Sequence, residues 1–105
     1  MPEPKEIERY HILVYGGPEG YQDTRAEIAL YDKNNNVVGF IRFIDSGMKF
    51  EKDYISMDII RMHLPSNMFI NVIDILRNEK PIYIHFTANR GFLTTSKEPV
   101  GEEEE

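Results

Sequence analysis

Only one stretch of this chain repeats its apolar residues with a helical period, and most of the rest reads as strand and turn. In "PSNMFINVIDILRNE" (65–79), Phe69, Val72, Ile73 and Leu76 follow the i, i+3, i+4, i+7 spacing that gathers them on one side of a helix. Met68 and Ile75 widen that stripe. Pro65 suits a first helical turn, Ser66 or Asn67 can cap its free amides, and Pro81 forbids continuation. A lone amphipathic helix must bury its stripe against something, and here the partner has to be built from strands.

The strands are read in chain order. "RYHILVYG" (9–16) is rich in β-formers and is broken by "GGPEGY" (16–21). "RAEIALYD" (25–32) alternates, with Ala26, Ile28 and Leu30 on one side. "KNNN" (33–36) is a turn, because Asn tolerates positive φ, and "VVGFIRFID" (37–45) pairs back. "SGMKFEKD" (46–53) is a loop. "YISMDIIRMHL" (54–64) reads as one strand whose phase flips between Ile59 and Ile60, which a β-bulge there would reconcile. "IYIHFTA" (82–88) and "GFLTTS" (91–96) make a second hairpin around "NR".

The expected fold is α+β: a twisted antiparallel sheet of about five or six strands, with one long helix (about 65–79) packed on one face. The expected core includes Ile12, Val14, Ile28, Leu30, Phe40, Phe69, Val72, Ile73, Leu76, Ile84 and Phe86. A length of 105 residues suits a single domain spanning 1–105, with 1–6 and 97–105 as disordered, charged, proline-bearing ends.

Composition excludes some chemistry. Without cysteine there is no disulfide, thiol nucleophile or cysteine-based metal site, which fits a cytoplasmic protein. The opening "MPEPKEIERY" has no apolar signal core, and charges interrupt every apolar run before membrane-span length, so no membrane partner is expected. "GGPEGY" lacks the following helix and the Lys-Ser/Thr pair of a phosphate loop, and Glu19 and Asp23 would repel phosphate, so it reads as a turn. His11, His63 and His85 have no local ligand spacing, and Ser46, Ser56, Ser66 and Ser96 lack a nucleophile elbow. Asp45, Asp53 and Asp58 read as turn and surface residues. No catalytic residue, metal ligand or cofactor is assigned.

What remains is a polar sheet face. Tyr15, Tyr31, Tyr83, Arg42, Arg61 and Arg90 form the candidate binding set, because rings that stack on bases and cations that follow a backbone are what a single-strand-binding sheet uses. The same residue types also cover protein interfaces. Charge favours the second reading. Net charge is −6; removing the four glutamates of 102–105 from the 18 acids leaves 14 against 12 bases, nearly neutral. The sequence therefore points to a small non-catalytic interaction module that self-associates through a sheet face. The alternative is a single-stranded nucleic-acid binder using the aromatic and arginine face.

The segment "IIRMHLPSNMFINVIDILRNEKPIYIHF", followed by "RGFLTTSKEPVGE", resembles a family of short bacterial proteins of unassigned function that share "RMHLP", "LRNEKP" and "RGFL-TS-EPVGE" stretches. The resemblance covers most of the chain, most closely from Ile60 onward, and implies no catalytic or binding residue. Strands followed by one helix are also similar in arrangement to the Whirly-type single-strand binders, an analogy of architecture without a shared motif.

Overall fold

The computed structural model describes residues 3–97 and 100, and shows eight strands and one short helix. The strands are β1 (Lys5–Ile7), β2 (Arg9–Val14), β3 (Ala26–Tyr31), β4 (Val37–Ile44), β5 (Tyr54–Ser56), β6 (Ile59–Pro65), β7 (Ile82–Thr87) and β8 (Arg90–Thr95). They form two sheets, not one: a five-stranded sheet in the order β2-β3-β4-β6-β5 and a three-stranded sheet in the order β1-β7-β8. All neighbours are antiparallel except β4 and β6. That parallel pair arises because the 45–53 loop carries the chain past one strand position, and β6 returns into the gap between β4 and β5.

The α+β class holds, while the single sheet and the long helix are corrected. The α-helix α1 runs only over Phe69–Asn78, preceded by a 3-10 turn at Ser66–Met68. Pro65 is not a helical residue: it has φ −60° and ψ 147° and closes β6 opposite Ile44. The helix ends where Glu79 turns extended and returns its amide to the Ile75 carbonyl at 3.0 Å.

The run read as one strand with a bulge is a hairpin. Met57 and Asp58 both have positive φ, 53° and 64°, making a two-residue turn between β5 and β6. Partners across a hairpin lie on the same side of the sheet, Ser56 with Ile59 and Ile55 with Ile60, so Ile55, Ile60 and Met62 share one side, which is the phase flip seen in the sequence. A second two-residue turn, Ala88–Asn89, joins β7 to β8. At the amino end, Lys5 and Glu6 belong to β1, so the segment 1–6 read as disordered includes the start of a strand paired with β7. Beyond Lys97, only Val100 of the 97–105 end lies within the described residues.

The core lies between the sheets and under the helix. Ile28, Leu30, Ile41, Phe43 and Ile60 of the larger sheet and Ile84 of the smaller are fully buried. Two glycines let the sheets approach: a Cβ on Gly39 would stand 2.7 Å from Ile84 Cδ1, and one on Gly91 would overlap Met62 Cγ. The helix closes the core with Val72 and Leu76 buried, while the Phe69 ring meets Phe43 edge-on at 5.1 Å. Phe69, Ile73 and Phe86 pack against this cluster half-buried. Three expected core residues stand elsewhere. Ile12 and Val14 are 38% and 65% exposed on β2, and Phe40 lies on the opposite side of its strand from Ile41 and Phe43.

The outer face of the five-stranded sheet as candidate site

In a strand, alternate residues share a side, so the register fixes what the uncovered face of the larger sheet presents. One row across it runs His11, Ala29, Phe40, Arg61, Tyr54. The row beside it runs Leu13, Glu27, Arg42, His63. Arg9 and Tyr31 pair at the margin next to the first row. Tyr15 continues β2 on the same side, its ring 5.3 Å from that of Tyr21.

The first row is a stack built around a cation. The Arg61 guanidinium lies 5.1 Å from the Phe40 ring centroid and 5.8 Å from that of Tyr54. Two rings flanking one guanidinium hold it by cation–π attraction and fix its plane. Its Nε is buried without a hydrogen-bond partner, and no carboxylate within ion-pair distance is seen for Arg61 among the described residues. Small Ala29 sits in the same row beside Phe40 and is itself buried.

In the second row, Arg42 Nε is 3.9 Å from Glu27 Oε1, and the His63 ring stacks on Tyr54 with centroids 6.3 Å apart. Burial, the largest effect, and the neighbouring Glu27 push the Tyr15 phenol above its ordinary range, so it remains a neutral hydroxyl bonded to Glu27. Three arginines, 9, 42 and 61, therefore share this face with one glutamate. Asp53 beside His63, and Asp23 and Glu51 near Arg42, offset part of that positive charge.

Two carboxylates brace the face from its margin. Asp53 accepts the buried His63 amide at 2.8 Å on Oδ1 and the Gly91 amide at 2.9 Å on Oδ2, tying β6 to β8 across the two sheets. Its Oδ1 is also 3.4 Å from His63 Nδ1. Asp45 accepts Arg25 Nε at 2.7 Å, and the same guanidinium donates to the Tyr15 carbonyl at 2.6 Å. A Ser66 hydrogen bond, then Arg25, hold the Asp45 carboxyl below its ordinary range. The loop that follows β2 is thus anchored to the turn that follows β4.

The structure divides the six candidate residues. Tyr15, Tyr31, Arg42 and Arg61 come together on this face. Tyr83 and Arg90 share the outer side of the smaller sheet, opposite Thr94 and Thr87. The three histidines do not converge: His11 and His63 stand on strands separated by β3 and β4, and His85 packs edge-on against Phe92 on the other sheet. Among the described residues, no group of three His, Cys, Asp or Glu is placed to hold a metal ion. Surface hollows of about 280 Å³ beside Lys5 and Asp32, and about 220 Å³ between Tyr10 and Leu76, contain none of the six.

Sequence reasoning missed Phe40, Tyr54 and Asp53. For Phe40 the signal was present, since it shares its phase with Arg42 in "GFIRFI" and not with Ile41 or Phe43. Asp53 carried none, because its partners lie 10 and 38 residues away.

Among the described residues, no helix is long and apolar enough to cross a membrane. No family model, no curated protein and no solved structure matches the chain.

Proposed function

We propose that the chain is a small, non-catalytic, cytoplasmic interaction module that self-associates through the outer face of its five-stranded sheet. The supporting observation is that this face carries Phe40, Tyr54, Tyr31, Tyr15 and Leu13, while Gln22, Asp23, Thr24, Lys49 and Glu51 border its Arg42 and His63 end. Leu13 and Tyr54 remain 38% and 44% exposed. Aromatic residues and arginine gathered at a sheet centre are the composition of an interface core. Sedimentation equilibrium over a concentration series is the test. Self-association that weakens in Tyr54→Ala supports the reading, and a monomer at every concentration overturns it.

A second reading rests on Arg61. A guanidinium oriented between two rings, with Arg42 and Arg9 nearby, offers phosphate contacts next to stacking surfaces, the combination used for single-stranded nucleic acid. Anisotropy of a labelled single-stranded oligonucleotide, titrated at two salt concentrations, tests it. Binding that falls with salt and is reduced in Arg61→Ala supports this reading, and salt-independent or absent binding removes it.

A further inference from the structure

β2 is the edge of the five-stranded sheet. One side pairs with β3, and no described strand pairs with the other. Proteins usually protect such edges by making them short, or by placing lysine or proline on them. β1 and β5 follow that rule with three residues each, and β1 carries Lys5. The β8 edge ends in two threonines. β2 does neither: it is six residues long and has no lysine, proline or carboxylate. Tyr10 packs half-buried against the core, but beyond it both sides of the strand are exposed, with Ile12 and Leu13 each at 38% and Val14 at 65%.

Its unused backbone groups can be assigned. Tyr15 donates its amide to the Arg25 carbonyl at 2.9 Å, in register with the β2–β3 ladder. By alternation, the amides and carbonyls of Tyr10, Ile12 and Val14 point away from β3.

We propose that two copies of the chain join β2 to β2, antiparallel, about a two-fold axis at Ile12, so that two five-stranded sheets continue as one. Identical strands become antiparallel neighbours only about an axis perpendicular to the sheet, and then residues of one side must face residues of the same side. Arg9 to Tyr15 is the extended run, and Ile12 is its centre. In that register Ile12 faces Ile12, Tyr10 faces Val14, His11 faces Leu13, and Arg9 faces the Tyr15 ring. The exposed apolar side chains find apolar or aromatic neighbours, no two arginines or carboxylates are set opposite each other, and about six backbone hydrogen bonds close the ladder. Centring on His11 would set Val14 against Glu8, and centring on Leu13 would run Tyr10 against Gly16. The contact uses a strand edge, so it stands whatever occupies the outer face, and it places two Phe40–Arg61–Tyr54 stacks on one side of a continuous surface.

Because the chain has no cysteine, a single introduced thiol reports only on this contact. In the hydrogen-bonded pair at the axis the Cα atoms stand about 5.5 Å apart, inside the range a disulfide spans. Full-length Ile12→Cys should cross-link to a covalent dimer under mild oxidant, while His11→Cys and Leu13→Cys, each two positions out of register with its own copy, should cross-link far less. Val14→Lys, at an exposed site that leaves the fold intact, should weaken the dimer about tenfold or more in sedimentation. Tyr54→Ala, at the opposite edge of the sheet, should leave the Ile12→Cys cross-link unchanged. Equal cross-linking at positions 11, 12 and 13, or none at 12, overturns the proposal. So does association that survives Val14→Lys and disappears in Tyr54→Ala, an outcome that leaves the face reading standing.

Discussion

Removing the Asp53 carboxylate should loosen the joint between the two sheets. Its two oxygens accept amides from His63 on β6 and Gly91 on β8, at 2.8 and 2.9 Å, and both donor residues are buried. Hydrogen bonds to an ionised acceptor are worth about 1.5–3 kcal/mol each, and a buried donor left unpaired costs about 1–3 kcal/mol. The Asp53 side chain is 15% exposed, so water can reach part of the site and recover some of that loss. Asp53→Ala should therefore cost about 2–4 kcal/mol, a substantial share of the 5–15 kcal/mol typical of a small domain. With a urea slope of about 1–2 kcal/mol/M, the unfolding midpoint should fall by about 2 M. Asp53→Asn retains one acceptor oxygen but turns an amide group toward the second donor, so its midpoint should fall between the other two. Amide exchange gives the sharper readout: Gly91 should lose protection in Asp53→Ala relative to neighbouring β7 amides. An unfolding free energy within about 0.5 kcal/mol of wild type, or an unchanged Gly91 exchange rate, would refute the reasoning that this carboxylate joins the sheets. The Lys5–Asp58 pair is the control. It is shorter, at 2.6 Å, yet Asp58 is 70% exposed, so Asp58→Asn, which removes the charge and keeps a residue suited to the positive φ of that turn, should change stability by about 1 kcal/mol or less.

Gly39→Ala should destabilise the protein by about 1–3 kcal/mol in the same denaturation assay, since its Cβ would press on Ile84 Cδ1 at 2.7 Å and on the Ile60 carbonyl at 3.1 Å. Met57→Asn should stabilise by roughly 0.5–1 kcal/mol, because Met57 is 90% exposed and holds φ 53° in a turn that Asn enters more easily. The folded Asp45 carboxyl is depressed, so its contribution is complete above the ordinary value of 3.8 and is lost as pH falls through the lowered value. Urea midpoints measured across that acid range should decline less steeply in Asp45→Asn than in wild type, and identical slopes would count against the Ser66 and Arg25 contacts as the cause.

Much of the architecture was legible because period and burial coincide. The helical stripe of Val72 and Leu76, and the β3 phase of Ala26, Ile28 and Leu30, are buried as their spacing requires. The division into two sheets was not legible. It depends on β1 crossing to pair with β7, on β6 filling a gap beside β4, and on two glycines allowing close approach, all of them contacts between distant residues. The Met57–Asp58 turn was hidden for a local reason: Met is a poor turn marker, so alternation seemed to run through it. Ile12 and Val14 misled differently. They have the phase of core residues, but they occupy an edge strand where little packs over them, and alternation alone cannot report where a covering layer stops.

The candidate face shows the same limit from the other side. Tyr15, Tyr31, Arg42 and Arg61 were grouped because polar and aromatic residues on alternating strands mark an exposed side, and Tyr83 and Arg90 satisfy that criterion equally well. Only the sheet assignment separates them. Three stretches of the carboxyl-terminal half have structural work in this fold. "RMHLP" supplies Arg61 and His63 to the face and Met62 to the core, "LRNEKP" contains buried Leu76 and the end of α1, and "RGFLTT" contains the close approach at Gly91. Arg61 is the exception: a core needs no guanidinium at that position, and a solvated surface needs no rings on either side of it. A guanidinium between two rings, with no carboxylate in ion-pair distance among the described residues, is the feature on which both proposed readings turn.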